Sequence, residues 1–132
     1  MEDFVTYGQA VKLKELGFDY KTIWFYTCNG NLSCEQTDEI GNSHLIYENY
    51  NNDKIAQTYN VKCSAPTLAQ AQKWLRNVKD IDVHYHYGRK KWTYYWGKRW
   101  SQAWNEDEYD TPIEALTAGI DQVLDFLKEK GK

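Results

Sequence analysis

Three copies of one short pattern, Thr-x-x-Gln or Thr-x-x-Glu, constrain the fold of this 132-residue chain more than any other feature. The copies begin at Thr6, Thr67 and Thr111. In such a capping box the threonine oxygen accepts a hydrogen bond from the backbone N–H three residues on, and the glutamine or glutamate side chain reaches back to the threonine N–H. Each copy therefore predicts the start of an α-helix.

Apolar residues at helical spacing follow each of the three boxes. The pattern predicts helices over about residues 7–16, 68–78 and 112–130. Gly17 is suited to ending the first helix in a left-handed conformation, and Pro112 takes the first helical position of the third, where no N–H is needed. The apolar stripe of the second helix consists of Leu68, Ala71, Trp74, Leu75 and Val78.

The segments between these helices carry strand signals. β-Branched and aromatic residues favour a strand over 22–28, and Asn29-Gly30 then predicts a tight turn. A short apolar island lies at 45–47, and the polar residues 48–60 indicate a loop. Alternation predicts a strand over 81–87, a turn at 88–90, a returning strand over 91–96 and a third strand over 99–104.

The spacing of four tryptophans permits two interpretations. Trp92, Trp96, Trp100 and Trp104 would form a stripe on a helix, and they would equally share one face of a strand. The threonine and tyrosines between them favour strands. We therefore expect one α+β domain over 1–132, in which three helices pack on an antiparallel sheet of about four to five strands, in the order α-β-β-α-β-β-β-α.

Three segments, together with the helix openings, carry a resemblance to a known group. They are LKELGF at 13–18, APTLAQA at 65–71 with WLR at 74–76, and YDTPIEAL at 109–116. Over about Thr6 to Leu127 the chain resembles small uncharacterised proteins of gut-bacterial phages and prophages. The group has no assigned activity, so the resemblance implies no catalytic residue. It implies a compact intracellular domain of a phage or mobile element.

Residues 84–104 depart from that group by their density of rings and cations. They include eight Trp and Tyr residues, five basic residues and no acid, in a chain whose net charge is −3. Rings can stack on bases while cations meet phosphates, and rings can also anchor a protein partner. The candidate binding surface comprises Arg89, Lys90, Lys91, Trp92, Tyr94, Trp96, Lys98, Arg99 and Trp100.

Packing of these rings as core is the stronger alternative, because a chain poor in aliphatic residues must use its aromatic ones inside. If the surface does bind, we expect a partner protein before a single-stranded nucleic acid. The acidic total charge argues against strong non-specific affinity for phosphates.

Other classes of site find little support in the sequence. No Gly-x-Ser-x-Gly and no glycine-rich phosphate loop occurs, so no catalytic residue and no cofactor is expected. Cys28, Cys34 and Cys63 make an odd count without a Cys-x-x-Cys pair, which predicts neither a disulfide framework nor a metal site. No signal peptide or membrane-spanning run is visible. The expectation is a cytoplasmic, non-enzymatic accessory or interaction protein, with its oligomeric state left open.

Overall fold

The computed structural model describes residues 3–37, 43–45, 48–52, 61–88, 90–98, 101–104 and 108–130, which form three α-helices and eight β-strands. The helices are α1 (Tyr7–Glu15), α2 (Leu68–Lys79) and α3 (Pro112–Lys130). The strands are β1 (Phe25–Thr27), β2 (Leu32–Ser33), β3 (Glu35–Thr37), β4 (Ser43–Leu45), β5 (Val61–Ser64), β6 (Ile81–Gly88), β7 (Lys91–Lys98) and β8 (Ser101–Trp104). The fold belongs to the α+β class, as predicted.

The described strands form three small antiparallel sheets, whereas the sequence suggested one. Their orders are β2-β1-β5, β3-β4 and β6-β7-β8. The first strand, Phe25–Thr27, is shorter than its β-favouring run, and its pairing register with β5 shifts between Tyr26 and Thr27. Thr22 instead forms an isolated bridge with Glu48. A shift of this kind bends a strand and locally disrupts its ladder.

The chain divides into two compact units. The N-terminal unit is Phe4–Pro66, and the C-terminal unit consists of Met1–Asp3 with Thr67–Lys132. The expectation that 1–132 folds as one domain stays a prediction.

In the N-terminal unit, α1 packs beside β5. The Tyr26 hydroxyl, buried in this unit, donates a hydrogen bond of 2.6 Å to the carbonyl of Val5. Asn51 joins two segments, because its amide donates to the Phe18 carbonyl at 2.8 Å and its carbonyl oxygen accepts from the Ser64 N–H at 2.9 Å. Such bonds give partners to backbone polar groups of Val5 and Phe18, which lie outside the helices and strands, and of Ser64 at the end of β5.

In the C-terminal unit, both helices pack on the same face of the β6-β7-β8 sheet. Gln72 of α2 donates its amide to the carbonyl of Val83. A Cβ placed on Gly119 of α3 would lie 3.0 Å from the side chain of Val83 and 3.0 Å from the ring of Tyr94. The core therefore lies between this sheet face and the two helices. It includes Leu68, Ala71, Trp74, Leu75, Ile81, Val83, Tyr94, Ala115, Leu116, Ile120, Val123 and Leu124.

The predicted capping boxes open all three helices, but one is only half formed. At Thr6 and Thr67 both reciprocal hydrogen bonds are present. At Thr111 the hydroxyl oxygen accepts from the Glu114 N–H at 3.1 Å, while the Glu114 carboxylate accepts from that same hydroxyl. The threonine half of the box is enough to cap α3.

One member of the apolar stripe on α2 is not buried. Val78 is 53% exposed, although Trp74 and Leu75 are almost fully buried. The helix ends at Asp80, which adopts a left-handed conformation with φ of 58°. Ile81, just after this turn, is buried.

Among the helices of the described ranges, none combines the length and apolarity needed to cross a membrane.

Candidate functional site

The β6–β7 hairpin is the part of the described chain that contains most of the predicted surface. Its register pairs Val83 with Trp96, Tyr85 with Tyr94 and Tyr87 with Trp92. Directly paired residues of an antiparallel ladder project to the same side. The six side chains of these pairs therefore share the sheet face on which α2 and α3 pack.

Helix α3 contacts two aromatic side chains of β7, Tyr94 and Trp96. The Tyr94 hydroxyl and the Trp96 indole N–H both donate to the side-chain oxygen of Gln122, at 2.9 Å and 2.8 Å. The Trp96 ring lies 5.1 Å from the ring of Phe126. Tyr94 is only 4% exposed. These contacts hold α3 against the sheet and leave Tyr94 without a ring face for a partner.

At the turn end of the hairpin the same sheet face is open. Tyr85 is 46% exposed and Tyr87 is 54% exposed. The half-buried ring of Trp92 lies between them, 5.5 Å from Tyr85 and 5.0 Å from Tyr87. We call Tyr85, Tyr87 and Trp92 the ring cluster. Two exposed tyrosine rings packed on one tryptophan form an amphipathic surface of the kind that anchors interfaces.

A pocket of about 320 Å³ adjoins the ring cluster through Tyr85, which forms part of its wall. The first turns of α2 and of α3 supply most of the remaining wall, and apolar side chains predominate. Such a volume lies at the small end of the range for ligand sites. The lining residues are Asp3, Thr67, Leu68, Ala69, Gln72, Tyr85, Ile113 and Leu116.

Two contacts hold the segment before α3 against the ring cluster. The backbone of Trp92 exchanges two hydrogen bonds with Tyr109, at 2.9 Å and 2.7 Å. Lys91 forms an ion pair with Asp110. A hydrogen bond between these two side chains, together with the attraction of their charges, raises the pKa of Lys91 and lowers the pKa of Asp110. Because both groups are exposed, the pair adds little stability.

The other predicted cations have different positions. Lys90 lies in the exposed turn between β6 and β7, in a left-handed conformation with φ of 69°. Lys98 ends β7, and its side chain lies outside the described part of the structure. Arg89, Arg99 and Trp100 also lie outside the described residues.

The opposite face of the hairpin carries a second, smaller group of rings. His84 lies 5.2 Å from Tyr95, ring centre to ring centre. The Nε2 atom of His84 is 3.9 Å from a carboxylate oxygen of Asp82. The two faces therefore differ in chemistry, since the helix-side face is aromatic and apolar and this one is polar.

Tyr85 and Tyr87 are among the rings counted over residues 84–104, but neither they nor the pocket residues are in the predicted binding surface. Alternation does place Tyr85 and Tyr87 on one face with Val83. A turn at 88–90 would pair Tyr87 with Lys91, whereas in the structure Gly88 pairs with Lys91 and Tyr87 therefore pairs with Trp92. The alternation is the signal that could have brought the two tyrosines into the predicted surface. The sequence gives no comparable signal for Asp3 or Ile113, because only the fold brings them beside Tyr85.

The structure also gives the surroundings of the cysteines. Cys28 is exposed, Cys34 is half-buried and Cys63 is buried, and none of them is in a disulfide. Burial raises the pKa of Cys63 to about 11, although Lys14 and Lys62 act in the opposite direction. A thiol with such a pKa is uncharged and unreactive near neutral pH. Within the described ranges, no group of three His, Cys, Asp or Glu residues is arranged to hold a metal ion.

In comparisons with known proteins, no family model, no curated protein and no solved structure matches this chain. Its function therefore has to be inferred from the ring cluster and the pocket themselves.

Proposed function

We propose that this chain is a non-enzymatic accessory or interaction protein that binds another protein through the ring cluster and the adjoining pocket. The observation that carries the proposal is the exposure of Tyr85 and Tyr87 on a sheet face that is covered elsewhere by helices. Tyrosine and tryptophan are the residues most enriched among the energetic anchors of protein interfaces. An origin in a phage or mobile element is part of the proposal and rests on the resemblance of the chain's three quoted segments.

The geometry favours a protein partner over a single-stranded nucleic acid. Base stacking requires open ring faces, whereas Tyr94 is buried and Trp96 packs against Phe126. Lys91, which would have met a phosphate, is paired with Asp110. The net charge of −3 also favours a protein partner over a nucleic acid, because affinity for phosphates grows with the number of cations that neutralise them.

Affinity purification with three forms of the chain tests the proposal. The wild type, Tyr87→Ala and Tyr7→Ala are immobilised and exposed to a lysate of the source cells, and retained proteins are identified by mass spectrometry. Tyr7 is the matched control, since it is a 36% exposed tyrosine of the N-terminal unit. We expect a protein that the wild type and Tyr7→Ala retain and Tyr87→Ala loses. Equal retention by all three forms would contradict the role of the ring cluster.

The nucleic-acid alternative is tested with a fluorescent single-stranded oligonucleotide in an anisotropy titration. We expect weak binding at physiological salt. Tight binding that falls steeply with added salt, and that disappears on charge reversal of Arg89, Lys90 and Lys91, would replace the protein partner with a nucleic acid.

A further inference from the structure

Strand β6 lies at one edge of its sheet. The order of the described strands is β6-β7-β8, so β6 is hydrogen-bonded on one side, to β7, from Ile81 to Gly88. An edge strand presents backbone N–H and C=O groups that can pair with another extended chain. The direction in which the N–H and C=O groups of each residue point determines which of them on β6 can pair in this way.

The hydrogen bonds of Trp92 show which way the backbone of β6 points. Trp92 bonds through both its N–H and its C=O to Tyr109, which leaves neither group for its ladder partner Tyr87. The pair of Tyr87 and Trp92 is therefore of the non-hydrogen-bonded kind, in which the backbone groups of both residues point away from each other. Hence the N–H and C=O of Tyr87 point out of the sheet edge, and by alternation those of Tyr85 do so too.

The first half of this edge is already covered. Gln72 of α2 donates to the outward carbonyl of Val83, which agrees with the direction deduced from Trp92. Beyond Val83, residues 85–88 are all exposed. In the described part of the chain, no backbone hydrogen bond from outside the hairpin reaches Tyr85 or Tyr87.

We infer that the open half of β6 is a strand-addition site, where an extended segment of the partner protein pairs with Tyr85 and Tyr87 and places a lysine or arginine side chain in the pocket. This inference rests on the proposed function and specifies the partner's conformation. The backbone hydrogen bonds of an added strand give affinity, and its alternate side chains, which enter pockets, give specificity. Because Tyr85 lines the pocket, the partner residue opposite Tyr85 projects toward it.

The chemistry of the pocket selects the side chain. Its walls are largely apolar, and among its lining residues Asp3 is the one that carries a charge. Lysine and arginine combine an apolar stem with a cationic end. The stem would pack on the wall while the cation meets the Asp3 carboxylate.

A second copy of this chain is a poorer occupant of the edge. In a dimer formed by two β6 edges, the open half of one strand would have to supply the side chain for the other's pocket. That half reads Tyr-His-Tyr-Gly at 85–88 and contains neither lysine nor arginine.

The test begins with selection of binders from a library of random linear peptides on the immobilised full chain. For the best peptide, exchange of the Tyr85 and Tyr87 amide protons is followed by NMR, with the peptide present and absent. We expect both amides to become protected when the peptide binds, and the selected sequences to be enriched in lysine or arginine at one position. Asp3→Asn should remove that enrichment, whereas the exposed control Asp121→Asn on α3 should keep it.

Two substitutions at position 87 separate backbone pairing from ring contact. Tyr87→Ala removes the ring and keeps the outward N–H, whereas Tyr87→Pro removes both. We expect the proline variant to bind the peptide about tenfold more weakly than the alanine variant, which is the change that loss of one or two hydrogen bonds produces. The hairpin should tolerate the proline, because an outward N–H takes no part in the ladder.

If Tyr87→Pro fails to fold, backbone pairing can be tested with modified peptides and the wild-type protein. N-methylation of the peptide backbone should weaken binding at every second position and have little effect at those between.

Three results would overturn the inference. Peptides that bind without protecting the Tyr85 and Tyr87 amides, with equal affinity for the alanine and proline variants, would leave a protein-binding surface that does not use strand addition. Failure to select any peptide would overturn strand addition, while the lysate experiment decides the proposed function separately. Self-association of the wild type that protects these amides and is abolished in Tyr87→Pro would assign the edge to a second copy.

Discussion

At the scale of single residues, Gly119 sets the closest approach of α3 to the hairpin. A Cβ at this position would lie 3.0 Å from two ring atoms of Tyr94 and 3.0 Å from the side chain of Val83. Tyr94 has little room to move, since it is buried and its hydroxyl is bonded to Gln122. Gly8 in α1 is different, because a Cβ there would meet nothing within 4 Å.

These surroundings predict opposite effects of the same substitution. We expect Gly119→Ala to destabilise the protein by about 1–3 kcal/mol, because the strain of an overpacked core exceeds the gain in helix propensity. Gly8→Ala should instead stabilise by about 0.5–1 kcal/mol. Urea denaturation followed by circular dichroism measures both values. If Gly119→Ala were stabilising, Tyr94 and Val83 would have to move enough to accommodate the added methyl group.

At the scale of one element, α2 shows that helical spacing does not by itself determine burial. Trp74 is 1% exposed and Leu75 is fully buried, while Val78, on the same predicted stripe, is 53% exposed. The last turn of the helix lies next to the reversal at Asp80. The apolar stripe in the sequence therefore identifies the buried face of α2. It does not show at which residue of that face burial ends.

The contrast between Trp74 and Val78 gives a second pair of expected values. Trp74→Ala should cost about 3–5 kcal/mol, because it removes a large side chain from the core and leaves a cavity. Val78→Ala should change stability by less than about 0.5 kcal/mol, as exposed substitutions usually do. Chemical denaturation of the wild type and of both variants measures these changes in the free energy of unfolding. A small effect of Trp74→Ala would mean that the core collapses around the missing ring.

At the scale of the whole molecule, the chain divides into two compact units, which are Phe4–Pro66 and Met1–Asp3 with Thr67–Lys132. Each unit has a sheet and at least one helix of its own. The sequence predicts one domain, on the basis of a length that suits a single core. Whether the units unfold together is therefore a property that can be measured directly.

The expected result is one cooperative transition. Trp24 is the tryptophan of the N-terminal unit, and the other five lie in the C-terminal unit. With fluorotryptophan incorporated, 19F NMR follows the signals of Trp24 and Trp74 through one urea titration. Coincident midpoints would confirm a single domain, because a two-state transition is the same for every probe. Two separate midpoints would show that the units are independent domains.

Much of the local structure could be predicted because it depends on neighbours in sequence. The three capping boxes give the helix starts at residues 7, 68 and 112, and alternation gives the hairpin of β6 and β7. The free-energy terms that act here, such as a cap bond or the spacing of apolar side chains, involve residues a few positions apart. The α+β class follows from the same patterns.

The division of the aromatic hairpin into a packed end and an open end was decided only by tertiary structure. Trp92, Tyr94 and Trp96 alternate identically in sequence, yet α3 contacts Trp96 and Tyr94 and leaves the surface near Trp92 to Tyr85 and Tyr87. The pocket likewise unites Asp3, Leu68, Tyr85 and Ile113, which are far apart along the chain. Sequence determined which residues could share a face, because alternation is a property of the strand itself. The path of α3 across that face decided which of them stay accessible, because covering a ring requires contacts with residues remote in sequence.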